Sequence, residues 1–269
     1  MHRPPHVGPP TAIRPRAAVA LALVLCPGLT LAHYPWMSPA DYSPPAGQPV
    51  AFSIGVGHHF PGTDTIAGER LAAAELLDAA GQVRPVALGS GNEFLTPALP
   101  GEGPWVLAAR IAPGYYSRTP QGGQRVSRAE APDAMSCGHS SNTVKALLGA
   151  GDGAVAQPLG HPLEIVPLAG NPSTGAPFAV KALRAGVPWQ GEINAVYAGF
   201  GGAEDQYPVK VVTDAEGLAK LEFDRPGRWM ITLRRVLGLA LLGTAAFLAI
   251  ALGIPLGIWC GRNPRVYAA

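Results

Sequence analysis

Seven histidines and three cysteines are the residues of this chain best suited to chemistry. His2 and His6 belong to the extreme N-terminus. The other five are His33, His58, His59, His139 and His161, and none lies beyond the first few residues of the 160–233 region. If a leader is cleaved after Ala32, His33 becomes the first residue of the mature protein. Its α-amine, with a pKa of about 7.7–8.0, and its own imidazole can then close a small chelate ring suited to Cu(II), Ni(II) or Zn(II). His58 and His59 follow a strand-like run in Gly57-His58-His59-Phe60-Pro61-Gly62. Adjacent strand residues point to opposite faces, so both reach one ion only where the pleat has broken, as Pro61 and Gly62 allow. Otherwise one packs inside and the other is exposed. Cys137-Gly138-His139 sets a thiol and an imidazole two residues apart, just before a segment with helical character. At a helix N-terminus the thiol pKa would fall, giving a soft metal ligand, a redox thiol or a merely structural cysteine. For His161 the expected role is a buried, hydrogen-bonded histidine at a domain junction, with Glu164 pairing an arginine.

Several enzyme classes find no support. There is no nucleophile elbow, no P-loop and no HExxH, and the carboxylates are dispersed, so a binding protein rather than an enzyme is expected. The formal charge of the 269 residues is +2. The two ends carry five of the positive charges (Arg3, Arg14, Arg16, Arg262, Arg265), so everything between them is net −3. That sign favours cations over nucleic acid as partners.

The ends explain how such residues would be exported and held. Residues 1–32 read as a secretory signal: basic n-region, apolar run from Ala17 to Leu25, a Pro27-Gly28 break and small residues before the cleavage site. Residues 236–260 contain no charge and are long enough for a transmembrane helix, with arginines on both sides. The expected topology is a single-pass inner-membrane protein with its body in the periplasm and residues 261–269 as a cytoplasmic tail. Only Cys137 then remains in the exported body, which excludes an intradomain disulfide there.

Between the ends, glycine (34) and proline (29) make up roughly a quarter of the chain and interrupt nearly every window. Long helices are excluded. Short alternating runs at 50–56, 71–77, 83–88, 105–111, 163–168, 178–183, 192–197, 209–213, 219–223 and 229–233 predict strands, although the alanines of 71–77 suit a helical turn equally. Thr213-Asp214-Ala215-Glu216-Gly217 predicts a hairpin with glycine at positive φ. The spacing predicts a mainly β chain of two immunoglobulin-like or transthyretin-like sandwiches: one at 33–118, one at 160–235. A connecting segment at 119–159 would carry a short helical insertion at 141–148, capped by Ser or Asn and ended by Gly149.

Four motifs carry a family resemblance: His33-Tyr34-Pro35-Trp36-Met37, Gly57-His58-His59-Phe60, the 160–168 run GHPLEIVPL with Asn171-Pro172, and Thr213–Gly217 with Gly227-Arg228-Trp229. Together they resemble an exported domain-of-unknown-function family associated with nickel and cobalt uptake. Its members are periplasmic β-sandwich proteins, some accompanying energy-coupling-factor-type nickel transporters. The resemblance implies a nickel or cobalt ion as cargo, with copper or zinc as alternatives. It also implies the membrane subunits of an uptake transporter as partners. His33, His58, His59, Cys137 and His139 are the ligand candidates. Two other readings stay open: a non-metal periplasmic scaffold, and a copper protein or enzyme built on an N-terminal histidine chelate.

Overall fold

The computed structural model describes residues 34–151, 154–170, 172–203 and 206–234. The expected signal at 1–32, His33, the 236–260 span and the 261–269 tail lie outside the described residues. Among the described residues no helix is long and apolar enough to cross a membrane. The described chain is mainly β.

Three strands form the first sheet: β1 (Tyr34–Pro39), β2 (Ala51–Gly57) and β5 (Glu93–Leu95), in the order β1-β2-β5. Facing it is a four-stranded sheet of β3 (Leu71–Leu77), β4 (Val83–Val86), β6 (Trp105–Ile111) and β10 (Thr143–Leu148), ordered β10-β6-β3-β4. Period-two alternation packs Met37, Phe52 and Ile54 of one sheet against Leu76, Leu107 and Leu148 of the other. The WVLAARI run of β6 is different, being buried on both faces. Its second face is covered by the segment leading to the next sandwich, where Val155 packs on Leu77 and Val106. A smaller sheet, β8-β7-β9, stands beside these: β7 (Gly114–Thr119), β8 (Gly122–Gln124) and β9 (Ser136–Ser140).

The second sandwich pairs a sheet of β11 (Leu163–Pro167), β12 (Pro177–Arg184), β13 (Val187–Pro188) and β16 (Leu218–Glu222) with a sheet ordered β15-β14-β17. The latter consists of β14 (Glu192–Tyr197), β15 (Val209–Val212) and β17 (Trp229–Arg234). Phe178, Val180, Ile193, Ala195 and Leu221 fill the core between them. The Thr213–Gly217 turn forms as its sequence predicts. Asp214 Oδ1 accepts from the Glu216 and Leu218 amides at 3.0 and 2.7 Å. Gly217 sits at φ 76°, and a Cβ there would stand 2.5 Å from the Ala182 carbonyl oxygen. Glycine is required on both counts.

The helical insertion expected at 141–148 does not exist. Residues 143–148 are β10, paired antiparallel with β6 from Thr143↔Arg110 to Leu148↔Trp105. The TVKALL run reads equally well at period two, with Val144, Ala146 and Leu148 facing the core. An isolated helix of this length is marginal, and the open edge of β6 offers it a hydrogen-bonded ladder instead. The only helical turns among the described residues are 3-10 turns at Gly68–Arg70 and Ala154–Ala156.

Candidate functional site

Two groups of chemistry-bearing side chains sit where the sandwiches meet, and a third stands apart. The first begins at the end of the β1–β2 ladder. Tyr34 pairs with Gly57 and Trp36 with Gly55. Gly55 lets the Trp36 indole lie flat across β2, for a Cβ there would be 2.2 Å from Trp36 Nε1. Trp36 then meets Phe60 edge-on at 5.6 Å. Phe60 is fixed in turn from the second sandwich, where the Gly199 amide donates to its carbonyl at 3.0 Å. Val196 and Met230 complete this apolar cluster. The loop between Gly57 and Pro61 is therefore pinned at both sides. It has left the pleat, as a shared role for His58 and His59 demands. His58 is half-buried and His59 exposed. Both border a small depression walled by Phe200, Gln206, Tyr207 and Met230. Tyr34 stands edge-on to Tyr207 at 6.3 Å.

The second group lies on the outer face of the β10-β6-β3-β4 sheet. Registers align Glu75, Ala108 and Lys145 in one row across β3, β6 and β10. The small side chain of Ala108 leaves room above the row, and the 159–164 segment occupies it. His161, 2% exposed, places Nε2 2.6 Å from Glu75 Oε1. Its Nδ1 is buried with no hydrogen-bond partner among the described residues. Glu164, also 2% exposed, accepts from the Leu159, Gly160 and His161 amides at 2.7, 3.1 and 3.2 Å and pairs with the Lys145 ammonium. Burial by itself would raise the Glu164 pKa. The Leu159 amide, the Lys145 ammonium and His161 overcome it and hold the carboxyl below its ordinary value. Burial depresses the Lys145 pKa against the opposing pull of Glu164 and Glu75. One row further, Thr143 donates to the Leu163 carbonyl at 2.8 Å.

His161 is thus the buried junction histidine its surroundings in sequence predict. Glu164 finds a lysine rather than an arginine. Glu75 and Lys145 were not among the sequence candidates. Their signal is faint but present: each is the lone charge in a strand of apolar residues, LAAAELL and TVKALL.

Cys137 and His139 stand apart on β9. They are two residues apart, so they share a face with their cross-strand partners Ser117 and Tyr115. His139 is exposed and meets the Tyr115 ring at 4.9 Å, while Cys137 is a half-buried free thiol. The expected helix N-terminus beside Cys137 is absent, because the following residues are β10. The dipole argument for an acidic thiol falls with it.

Among the described residues no group of three or more His, Cys, Asp or Glu side chains is close enough to hold a metal. The family model described as a domain of unknown function (DUF4198) matches residues 30–236. No curated protein matches the chain.

Proposed function

For a chain that belongs to the DUF4198 family of unknown function, we propose the role of a membrane-anchored periplasmic accessory protein. It binds a transition-metal ion, nickel or cobalt, and delivers it to the membrane subunits of an uptake transporter. The role is one of binding and delivery, with no reaction catalysed. The observation that carries this reading is the loop after β2, where His58 and His59 both border one depression. Tyr34 faces Gly57. In the sequence His58 and His59 follow Gly57 directly, and His33 precedes Tyr34. Two or three imidazoles and a terminal amine form a set of borderline donors. Such a set suits late divalent first-row ions, and ligands must be deprotonated to bind. An exposed His59 beside a half-buried His58 suits an ion that must be passed on rather than caged. The immunoglobulin-like or transthyretin-like sandwiches serve as the rigid mount.

Cys137 and His139 lie on a separate sheet and form no part of this set. Equilibrium dialysis of the mature protein against Ni(II), Co(II), Cu(II) and Zn(II), with its N-terminus confirmed by mass spectrometry, tests the reading. Binding of Ni(II) or Co(II) well below millimolar, lost when one alanine is added before His33, is expected. Binding no tighter than millimolar for all four ions contradicts it. A preference for copper with a redox-active signal favours the copper alternative.

A further inference from the structure

The two sandwiches do not pack flush. Between them lies a cavity of about 630 Å³, within the size range of small-molecule sites. Its walls are four sheet-edge strands: β1 and β10 from the first sandwich, β11 and β17 from the second. On the second side the cavity opens into the core itself. Phe178, Val180 and Phe223 reach it from within, and Ile165, Ile231 and Leu233 remain only partly buried around its mouth. A sandwich that leaves its core apolar residues facing a gap of this volume forgoes the packing that such residues normally secure.

The gap is bordered by polar contacts as well as by apolar walls. The Trp36–Phe60–Met230 cluster and the Lys145–Glu164 pair both line it, and both join the sandwiches. The charges of that pair neutralise each other. Arg228 has no such partner. It lines the cavity together with Tyr42, whose hydroxyl lies 3.5 Å from the Met37 carbonyl oxygen, and no carboxylate pairs with Arg228 among the described residues. The chemistry presented is therefore a mainly apolar slot with, among the described residues, one guanidinium that no carboxylate pairs and a phenol.

We propose that this cavity binds a single-chain anionic amphiphile, a long-chain carboxylic acid, with its alkyl chain in the slot and its carboxylate on Arg228 and Tyr42. The guanidinium fork matches a carboxylate. The chain replaces water against the half-buried residues of β11 and β17. Each added methylene raises affinity roughly three- to fourfold until the slot is full. The proposal uses none of the histidines and is independent of the metal reading.

Trp36 and Trp229 line the slot, so a bromine-bearing chain reports its own arrival by quenching their fluorescence. Full-length protein in amphipol is titrated with 11-bromoundecanoate and, separately, with the neutral 11-bromoundecanol. Saturable quenching is expected, with the alcohol about tenfold weaker. Arg228→Ala, an exposed position, should weaken the acid to the level of the alcohol while leaving the alcohol and the circular dichroism unchanged. Ile231→Trp should shorten the longest chain accepted. Linear, unsaturable quenching, equal affinity for acid and alcohol, or an acid affinity indifferent to Arg228→Ala would each overturn the proposal. Absence of quenching would do so too, including the case where the slot is already filled by another part of this chain.

Discussion

The first sandwich closes its core and the second leaves its core open on one side. In the first, Ile54, Leu76, Leu107 and Leu148 are fully buried, and even the outer face of β6 is roofed by Val155 and its neighbours. In the second, Val180, Ile193 and Leu221 are fully buried, but Ile165, Trp229, Ile231 and Leu233 are only partly so. Both folds obey the same alternation of apolar and polar residues. The difference comes from the edges. All of β1, β10, β11 and β17 are edge strands facing the gap, but Met37, Val144 and Ala146 of the first sandwich stay buried there, whereas Ile165 of β11 and Ile231 and Leu233 of β17 do not. The closed core and the open one thus lie in different halves, and the buried Lys145–Glu164 and Glu75–His161 pairs join them.

The largest effect that can break this comparison is a cavity in the closed core. Leu107→Ala should cost about 4 kcal/mol in urea unfolding, while Ile231→Ala should cost about 1 kcal/mol. Equal costs would mean that the second core is as closed as the first. Next comes the row that couples the halves. Glu164→Gln leaves the Lys145 ammonium buried without its carboxylate and should cost about 3 kcal/mol. The same carboxyl sets an acid limit. Its pKa is lowered on folding, so its contribution is fully present above the unfolded carboxyl value of about 4.3. That contribution is lost as pH falls through the lower, folded value. Wild-type stability should therefore fall below pH 4 in a step that Glu164→Gln lacks, measured by urea midpoints across pH 3–6.

A smaller effect is expected at the hairpin of the second sandwich. Gly217→Ala forces a side chain into positive φ against the Ala182 carbonyl. It should cost about 2 kcal/mol. If it costs nothing, the turn can open without disturbing the sandwich. The smallest effect belongs to the histidine loop. His58→Ala with His59→Ala should change stability by less than about 0.5 kcal/mol while reducing Ni(II) affinity at least tenfold. A large stability loss would give these residues a structural role.

Ten strand-like runs were legible because alternation is local: 192–197, for example, is β14 from end to end. The hairpin at Gly217 was legible because its turn chemistry is carried by adjacent residues. The strand at 143–148 was not, since TVKALL suits either period and only the vacant edge of β6 decides between them. β7, β8 and β9 were missed for a related reason: GYYSRT, GGQ and SCGHS lack a clean apolar face. Of the site, His58 and His59 could be named from sequence, but the depression both border is walled by Phe200, Tyr207 and Met230 of the second sandwich. The Glu75–His161 and Lys145–Glu164 pairs join residues 86 and 19 positions apart. Nothing local in the sequence joins them, whereas the β3–β6–β10 row does.

X-ray absorption at the nickel edge of the Ni(II)-loaded mature protein tests the central claim most directly. The account predicts a shell of nitrogen and oxygen donors with the multiple scattering of two or three imidazoles, and no sulfur. A sulfur shell near the usual metal–thiolate distance of about 2.3 Å would move the site to Cys137 and contradict the assignment to the end of the β1–β2 ladder.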